Sequence, residues 1–200
     1  MLPAGVTLIH IRHGQTDWNA EGRLQGQRDI PINETGRGQA ERHGRVLSER
    51  LRAAGVDPAA LVYVSSPLSR SVETMQRVRG GLGLPGEAPT DERLKEVHFG
   101  EWSGFTYAEL KEGGQRGLVE RRKADKWSFR PPGGETYAEL ARRVGEWLET
   151  VTEDTVAVTH GGVVRVLHGH ITGTPWHEVP SLPAHQDRFA IFRDGTVEYI

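Results

Sequence analysis

Two stretches of the chain run an apolar segment into a His-Gly pair: Leu8-Ile9-His10-Ile11-Arg12-His13-Gly14 and Val156-Ala157-Val158-Thr159-His160-Gly161. A third, Leu61-Val62-Tyr63-Val64, runs into Ser65-Ser66-Pro67, with Arg70 close behind. Two His and two Arg delivered in this way form a coherent chemical set. Arg offers forked cationic donors that match the oxygens of a phosphoryl dianion, which Lys does not. Histidine, with an unperturbed pKa of about 6.5, serves either as a neutral nucleophile or as a charged hydrogen-bond donor. Neighbouring glycines let backbone N–H groups close on an anion. What such a set still needs is a proton donor for a leaving oxygen, a task for a carboxyl group. A lone His after a strand is more often a core residue. Arg12 beside His13, and the parallel His160-Gly161, favour chemistry instead.

These residues meet only if the elements before them deliver them to one rim. Val6 to Ile11, Leu61 to Val64 and Val156 to Val158 are short, apolar and β-branched, as buried strands are. Helical spacing of Ala40, Val46, Leu47 and Leu51 predicts a helix from Thr35 to about Ala54, stopped by Gly55. Ser66 as N-cap and Pro67 at the first helical position predict a second, ending near Arg79 at Gly80-Gly81. An apolar helix is expected from Val163 to about Ile171. Two final strands, Phe189 to Arg193 and Thr196 to Tyr199, join at Asp194-Gly195. Alternating strands and helices argue for an α/β fold, a three-layer α/β/α sandwich around a mostly parallel sheet. In such sheets ligands bind beyond the carboxyl ends of the strands, where His13 and His160 would meet.

The whole chain, residues 1–200, reads as one domain, with an insertion over the rim at about 101–134 that is polar, glycine-broken and rich in Arg and Lys. Thr-Tyr-Ala-Glu-Leu occurs at 106–110 and again at 136–140. In both copies Thr and Glu have capping-box spacing, so both are expected to open helices. The run Arg116, Arg121, Arg122, Lys123, Lys126, Arg130 reads either as a solvated helix face or as a cationic cover that attracts anionic substrates. Trp102, Trp127 and Phe129 would form its underside or line a pocket.

A formal charge of −2 gives no general pull toward nucleic acid or anionic membrane. There is no cysteine, which excludes disulfide scaffolds and thiolate metal sites. His168 and His170 stand two apart, so on a helix they do not face one another and form no metal pair. No signal-peptide pattern opens the chain and no apolar run has membrane-spanning length, so a cytoplasmic protein is expected.

Arg12-His13-Gly14-Gln15-Thr16-Asp17-Trp18-Asn19 resembles the signature of the histidine phosphatase superfamily, also called phosphoglycerate mutase-like. The resemblance continues through Gly22-Arg23-Leu24-Gln25-Gly26, Ser65 to Arg70 with Thr74, and Leu94-Lys95-Glu96-Val97-His98-Phe99-Gly100-Glu101-Trp102-Ser103-Gly104. It resumes at Gly133-Gly134-Glu135-Thr136 and Thr159-His160-Gly161-Gly162, in the family's order and over nearly the whole chain. It implies a nucleophilic His13 that carries the phosphoryl group, gripped by Arg12, Arg70 and His160 without metal or other cofactor. Asn19 and Gly161 stand where further phosphate contacts fall, and Thr16, Gln25 and Gly26 where a substrate pocket would lie. Glu96 would protonate the departing alcohol and later activate water. Asp91, Glu92 and Glu101 are close by, and spacing to Phe99-Gly100 favours Glu96. His10 receives no role.

The implied substrate is a small phosphorylated metabolite, and oligomeric state is not readable. Mutases of the same superfamily return the phosphoryl group to a bound glycerate. The short middle of this chain, Phe99 where mutases have Tyr, and the run Gly22 to Asn33 all resemble the phosphatase branch instead. An inactive ligand-binding relative would lose one of His13, Arg12, Arg70, Glu96 or His160, and all are present. Gln15, where Glu is common, departs from the pattern.

Overall fold

The computed structural model describes residues 2–200. The elements run β1 (Leu8–Arg12), α1 (Asp17–Ala20), α2 (Glu34–Ala53), β2 (Val62–Ser65), α3 (Ser69–Gly81), α4 (Tyr107–Leu110) and α5 (Arg116–Ala124). They continue with α6 (Tyr137–Leu148), β3 (Thr155–Thr159), α7 (Gly161–Thr172), β4 (Ala190–Arg193) and β5 (Thr196–Tyr199). The sheet order is β2-β3-β1-β4-β5. β2, β3 and β1 are parallel, whereas β4 pairs antiparallel with both β1 and β5. The expected α/β sandwich with a mostly parallel core is what forms.

Alternation along the strands divides the core in two. Ile9, Ile11, Val156 and Val158 pack with Leu47, Leu51, Met75 and Val78 of α2 and α3. Leu8, Ala157, Ala190 and Phe192 pack with Leu140, Val144, Val163 and Leu167 of α6 and α7. This two-sided burial is why the strands read as apolar runs. The register pairs Arg12 with Thr159 and Ser65 with Val158, so all three strands reach the same rim before their loops turn.

The boundaries of α2 and α3 differ from expectation for identifiable reasons. α3 begins at Ser69 with no side-chain bond from its N-cap, Leu68. The expected cap, Ser66, places its hydroxyl 2.7 Å from His160 Nε2 instead. Asp29 takes over the end from a distant loop, accepting from both Ser69 N–H and its hydroxyl at 2.8 Å. Arg70 is therefore the second helical residue. Nor do Gly80-Gly81 stop α3, which runs through Gly81. A Cβ there would meet Gly44 backbone of α2 at 3.0 Å, so the glycine serves a close helix crossing. Finally, α2 starts at Glu34 because Asn33 caps it through Gly36 N–H at 3.0 Å.

Both capping boxes form: Thr106 with Glu109 opens α4, and Thr136 with Glu139 opens α6. Between α4 and α5 the chain kinks at Gly113-Gly114, where Gly114 has φ 86°. Trp102, Leu110, Val119 and Phe129 make a small separate core under this middle segment. Trp127 instead packs against the α6–α7 side. The basic run divides too: Arg122 is buried, while Arg116, Arg121, Lys123 and Arg130 face solvent.

Candidate active site

β1 and β3 set His13 and His160 side by side, with ring centroids 5.1 Å apart and both rings buried. His13 Nδ1 lies 2.7 Å from the Gly14 carbonyl oxygen. A carbonyl can only accept, so Nδ1 carries the proton and Nε2 keeps its lone pair. Burial, then the charges of Arg70 and Arg12, hold His13 well below the usual imidazole pKa. It is therefore neutral at physiological pH, as a nucleophile must be. His160 is depressed in the same way, by burial first, then by Arg70 and His13. Ser66 Oγ and, at 3.4 Å, Ser71 Oγ occupy its Nε2, which leaves Nδ1 buried without a partner.

The two arginines are aimed by carbonyl groups. Arg12 Nη1 donates to Ala184 O at 2.6 Å, and Arg70 donates to Gly26 O and Arg28 O at 2.7 Å each. Their Nε atoms are buried and unpartnered. Burial lowers both guanidinium pKa values to about 10, so both stay charged near neutrality. Buried cations without paired anions are costly unless a ligand supplies the charge. Glu96 is placed by α7, where Gly162 N–H donates to its two oxygens at 3.0 and 3.1 Å. Val97 N–H adds a bond at 2.9 Å. A Cβ at Gly162 would overlap Glu96 Oε1, so the glycine is what lets the Glu96 carboxyl group sit on the start of α7.

Arg12, His13, Asn19, Gln25, Gly26, Arg70 and Glu96 line one cleft of about 130 Å³, together with Arg23, Leu24 and Phe99. Gln25 Oε1 is buried there with no partner. Thr16 is outside the lining; its hydroxyl caps α1 by accepting from Asn19 N–H at 3.1 Å. Gly161 opens α7 behind Arg12, where a Cβ would lie 3.5 Å from the guanidinium carbon. His10 turns away from the cleft to Thr159 Oγ1 at 2.6 Å, and burial lowers its pKa to about 3. His168 and His170 are engaged separately, His170 Nε2 with Ala141 O at 2.9 Å. A larger groove of about 540 Å³ between α6 and α7 includes His170 but none of the residues that line the cleft.

Several supporting residues escaped the sequence reading. Thr74 Oγ1 accepts from Gly14 N–H at 3.0 Å and donates to Arg70 O at 2.7 Å. Gln186 donates to His13 O and Asn19 Oδ1 at 3.2 Å. Arg143 of α6 donates to the carbonyls of Arg93, Lys95 and Glu96 at 2.6–3.0 Å, clasping the segment that carries Glu96. Thr74 stood in a motif; Gln186 and Arg143 lie in stretches with no local signal, since only the folded chain brings them here.

A neutral imidazole with a free Nε2, beside two charged guanidinium groups and a carboxyl group, at the carboxyl ends of parallel strands, defines an enzyme of phosphate-ester chemistry. The profile of the histidine phosphatase superfamily, branch 1, matches residues 8–193. A glucosyl-3-phosphoglycerate phosphatase of Mycolicibacterium vanbaalenii is 33% identical over 88% of this chain and 78% of its own length. A 2,3-bisphosphoglycerate-dependent phosphoglycerate mutase of Brucella ovis is 36% identical over 80% of this chain and 79% of its own. Among solved structures, a mycobacterial glucosyl-3-phosphoglycerate phosphatase superposes with a TM-score of 0.76 at 27% identity, covering 97% and 96% of the two chains. The chain belongs to the histidine phosphatase superfamily, as its motifs implied.

Proposed function

We propose that the protein is a phosphomonoesterase that hydrolyses a small phosphorylated metabolite through a phosphohistidine at His13. The observation that carries this reading is the fixed tautomer of His13, which leaves Nε2 unprotonated in a residue that shares its cleft with Arg12 and Arg70. Nε2 attacks phosphorus while the ester P–O bond breaks, and Glu96 gives its proton to the leaving oxygen. Arg12, Arg70 and His160, with Asn19, hold the phosphoryl oxygens as charge spreads over them. Water then attacks phosphorus as the P–N bond breaks; the water gives a proton to Glu96, the electron pair of the broken bond returns to Nε2, and phosphate is released. The arginines supply the positive field, so the reaction is assigned to no metal or cofactor. No nucleic-acid or membrane partner is assigned, and the setting is cytoplasmic; no helix among the described residues is long and apolar enough to cross a membrane. Hydrolysis is favoured over mutase-type transfer by Phe99, which puts an apolar wall rather than a hydroxyl beside the cleft.

The test is hydrolysis of p-nitrophenyl phosphate from acid to mildly alkaline pH, with a chelator present, beside His13→Ala. Nitrophenol release by the wild type alone, unchanged by chelator, supports the reading. Activity that survives in His13→Ala overturns it.

A further inference from the structure

The tautomer of His13 depends on one carbonyl group, and a side chain outside the cleft aims it. The Gly14 oxygen beside His13 Nδ1 belongs to the peptide group between Gly14 and Gln15. A trans peptide is flat, with its C=O and N–H pointing in opposite directions. Whatever holds the Gln15 N–H therefore sets where the Gly14 carbonyl points. The Gln15 N–H donates to Gln39 Oε1 of α2 at 2.8 Å. A backbone N–H can only donate, so the side-chain oxygen of Gln39, not its amide nitrogen, faces this peptide.

The packing keeps this peptide in place. Gly14 is buried, and a Cβ there would overlap the backbone of Gly36 in the first turn of α2, just as a Cβ at Gly36 would overlap that of Gln15. The two glycines let the start of α2 rest directly on the loop that carries the nucleophile. The preceding peptide is held from α3, through Gly14 N–H and Thr74 Oγ1. The following one is held by the cap of α2, where Asn33 N–H donates to Gln15 O at 2.8 Å. Gln39 grips the peptide between them. Hydrogen bonds in series polarise one another, so a Gln15 N–H engaged by Gln39 makes the Gly14 oxygen a stronger acceptor. This matters most as Nε2 bonds to phosphorus, because the ring then gains positive charge and Nδ1–H is its remaining donor.

We infer that Gln39 is a positioning residue for the reaction: through the Gly14–Gln15 peptide it fixes the Nδ1-protonated tautomer of His13 and supports the charge the ring gains on phosphorylation. This rests on the phosphatase reading and deepens it. Gln39 is not among the residues lining the cleft, so it acts only through that peptide.

The experiment compares the wild type with Gln39→Met and Gln39→Glu. Met resembles Gln in length and helix preference but offers only a weak thioether acceptor, whereas Glu keeps an oxygen acceptor. Three quantities are read. The kcat/KM for p-nitrophenyl phosphate reports the steps up to nitrophenol release. The inhibition constant of inorganic phosphate reports the grip of Arg12 and Arg70. The ring-nitrogen NMR resonances of His13, assigned against His13→Ala, show which nitrogen carries the proton. In Gln39→Met, kcat/KM per phosphate-binding site is expected to fall about tenfold or more, the rate equivalent of one hydrogen bond. The phosphate constant should stay within about twofold of the wild type, because neither arginine has lost a partner. A signal for Nε2–H should appear beside that for Nδ1–H. Gln39→Glu should restore the single tautomer and most of the rate. An unchanged kcat/KM in Gln39→Met, a fall matched by an equal loss of phosphate binding, an unaltered tautomer, or no recovery in Gln39→Glu overturns the positioning role and leaves the phosphatase reading intact. No nitrophenol release by the wild type, or a wild-type His13 protonated at Nε2, overturns both.

Discussion

The same five residues, Thr-Tyr-Ala-Glu-Leu, open a helix twice in this molecule, with different results. At 136–140 they start α6, which runs for 12 residues and buries Tyr137, Leu140, Ala141, Val144, Trp147 and Leu148. At 106–110 they start α4, which ends after four residues, shortly before the kink at Gly113-Gly114. Tyr137 is 4% exposed and Tyr107 38%. The cap fixes where a helix begins. The residues that follow, and the surface their apolar stripe meets, fix how far it goes. The two copies also serve different parts of the site. α6 packs on the sheet and clasps the segment carrying Glu96 through Arg143. α4 and α5 rest on their own small core and line a separate cavity with cations.

The sheet-borne part should be the less forgiving of change. The largest effect is expected from Gly162→Ala, which forces Glu96 out of its seat on α7. For an alkyl phosphate, whose leaving oxygen needs a proton, kcat/KM should fall by about 10²-fold or more. For p-nitrophenyl phosphate, with its good leaving group, the fall should be much smaller. Equal losses on both esters would mean that Glu96 is not the acid of the first step.

Next in size is the contrast between Leu140→Ala and Leu110→Ala. Leu140 is fully buried in the main core, and its truncation should cost about 2–5 kcal/mol, read from the urea midpoint. Leu110 belongs to the four-residue cluster of the middle segment, so its loss should open that segment locally. Faster amide exchange confined to residues 107–124, with a smaller change in midpoint, is expected. Equal shifts in midpoint would show that the two regions unfold as one.

Much of this division was legible in advance. The strands were readable because burial on both faces makes them continuous apolar runs, and the His-Gly pairs because they stand at the strand ends. Ser66 misled: its type suits an N-cap, yet a buried His160 competes for its hydroxyl, and Asp29 caps the helix from 40 residues away in sequence. No local pattern carries that exchange. The same holds for Gln186 and Arg143, whose meaning comes from neighbours distant along the chain. Thr16 stands in the motif that bears His13, but its buried hydroxyl is spent on α1.

Acid should act on the sheet-borne region first. His10 has its folded pKa lowered to about 3 from 6.5, chiefly by burial, and His13 and His160 move in the same direction. Between the two values the unfolded chain binds more protons, so stability rises with pH. This contribution is fully present above 6.5 and is lost as pH falls toward 3. The urea midpoint should drop steadily over that window, and His10→Asn should flatten the drop. A midpoint independent of pH there would contradict the burial of neutral imidazoles.

The smallest effects test the twin caps. Thr136→Ala and Thr106→Ala each remove a capping box worth about 1 kcal/mol. Only the first should move global unfolding by that amount, because α4 contributes little to the main core. Matching shifts would again erase the distinction between the regions.

The central claim is that His13 carries the phosphoryl group. The most direct measurement mixes enzyme with p-nitrophenyl phosphate, quenches within a turnover in base, where a P–N bond survives, and maps the peptides by mass spectrometry. One phosphoryl group on the peptide containing His13, absent in His13→Ala, is the predicted result. Steady turnover with an unmodified His13, or a phosphoryl group on any other residue, would contradict the account.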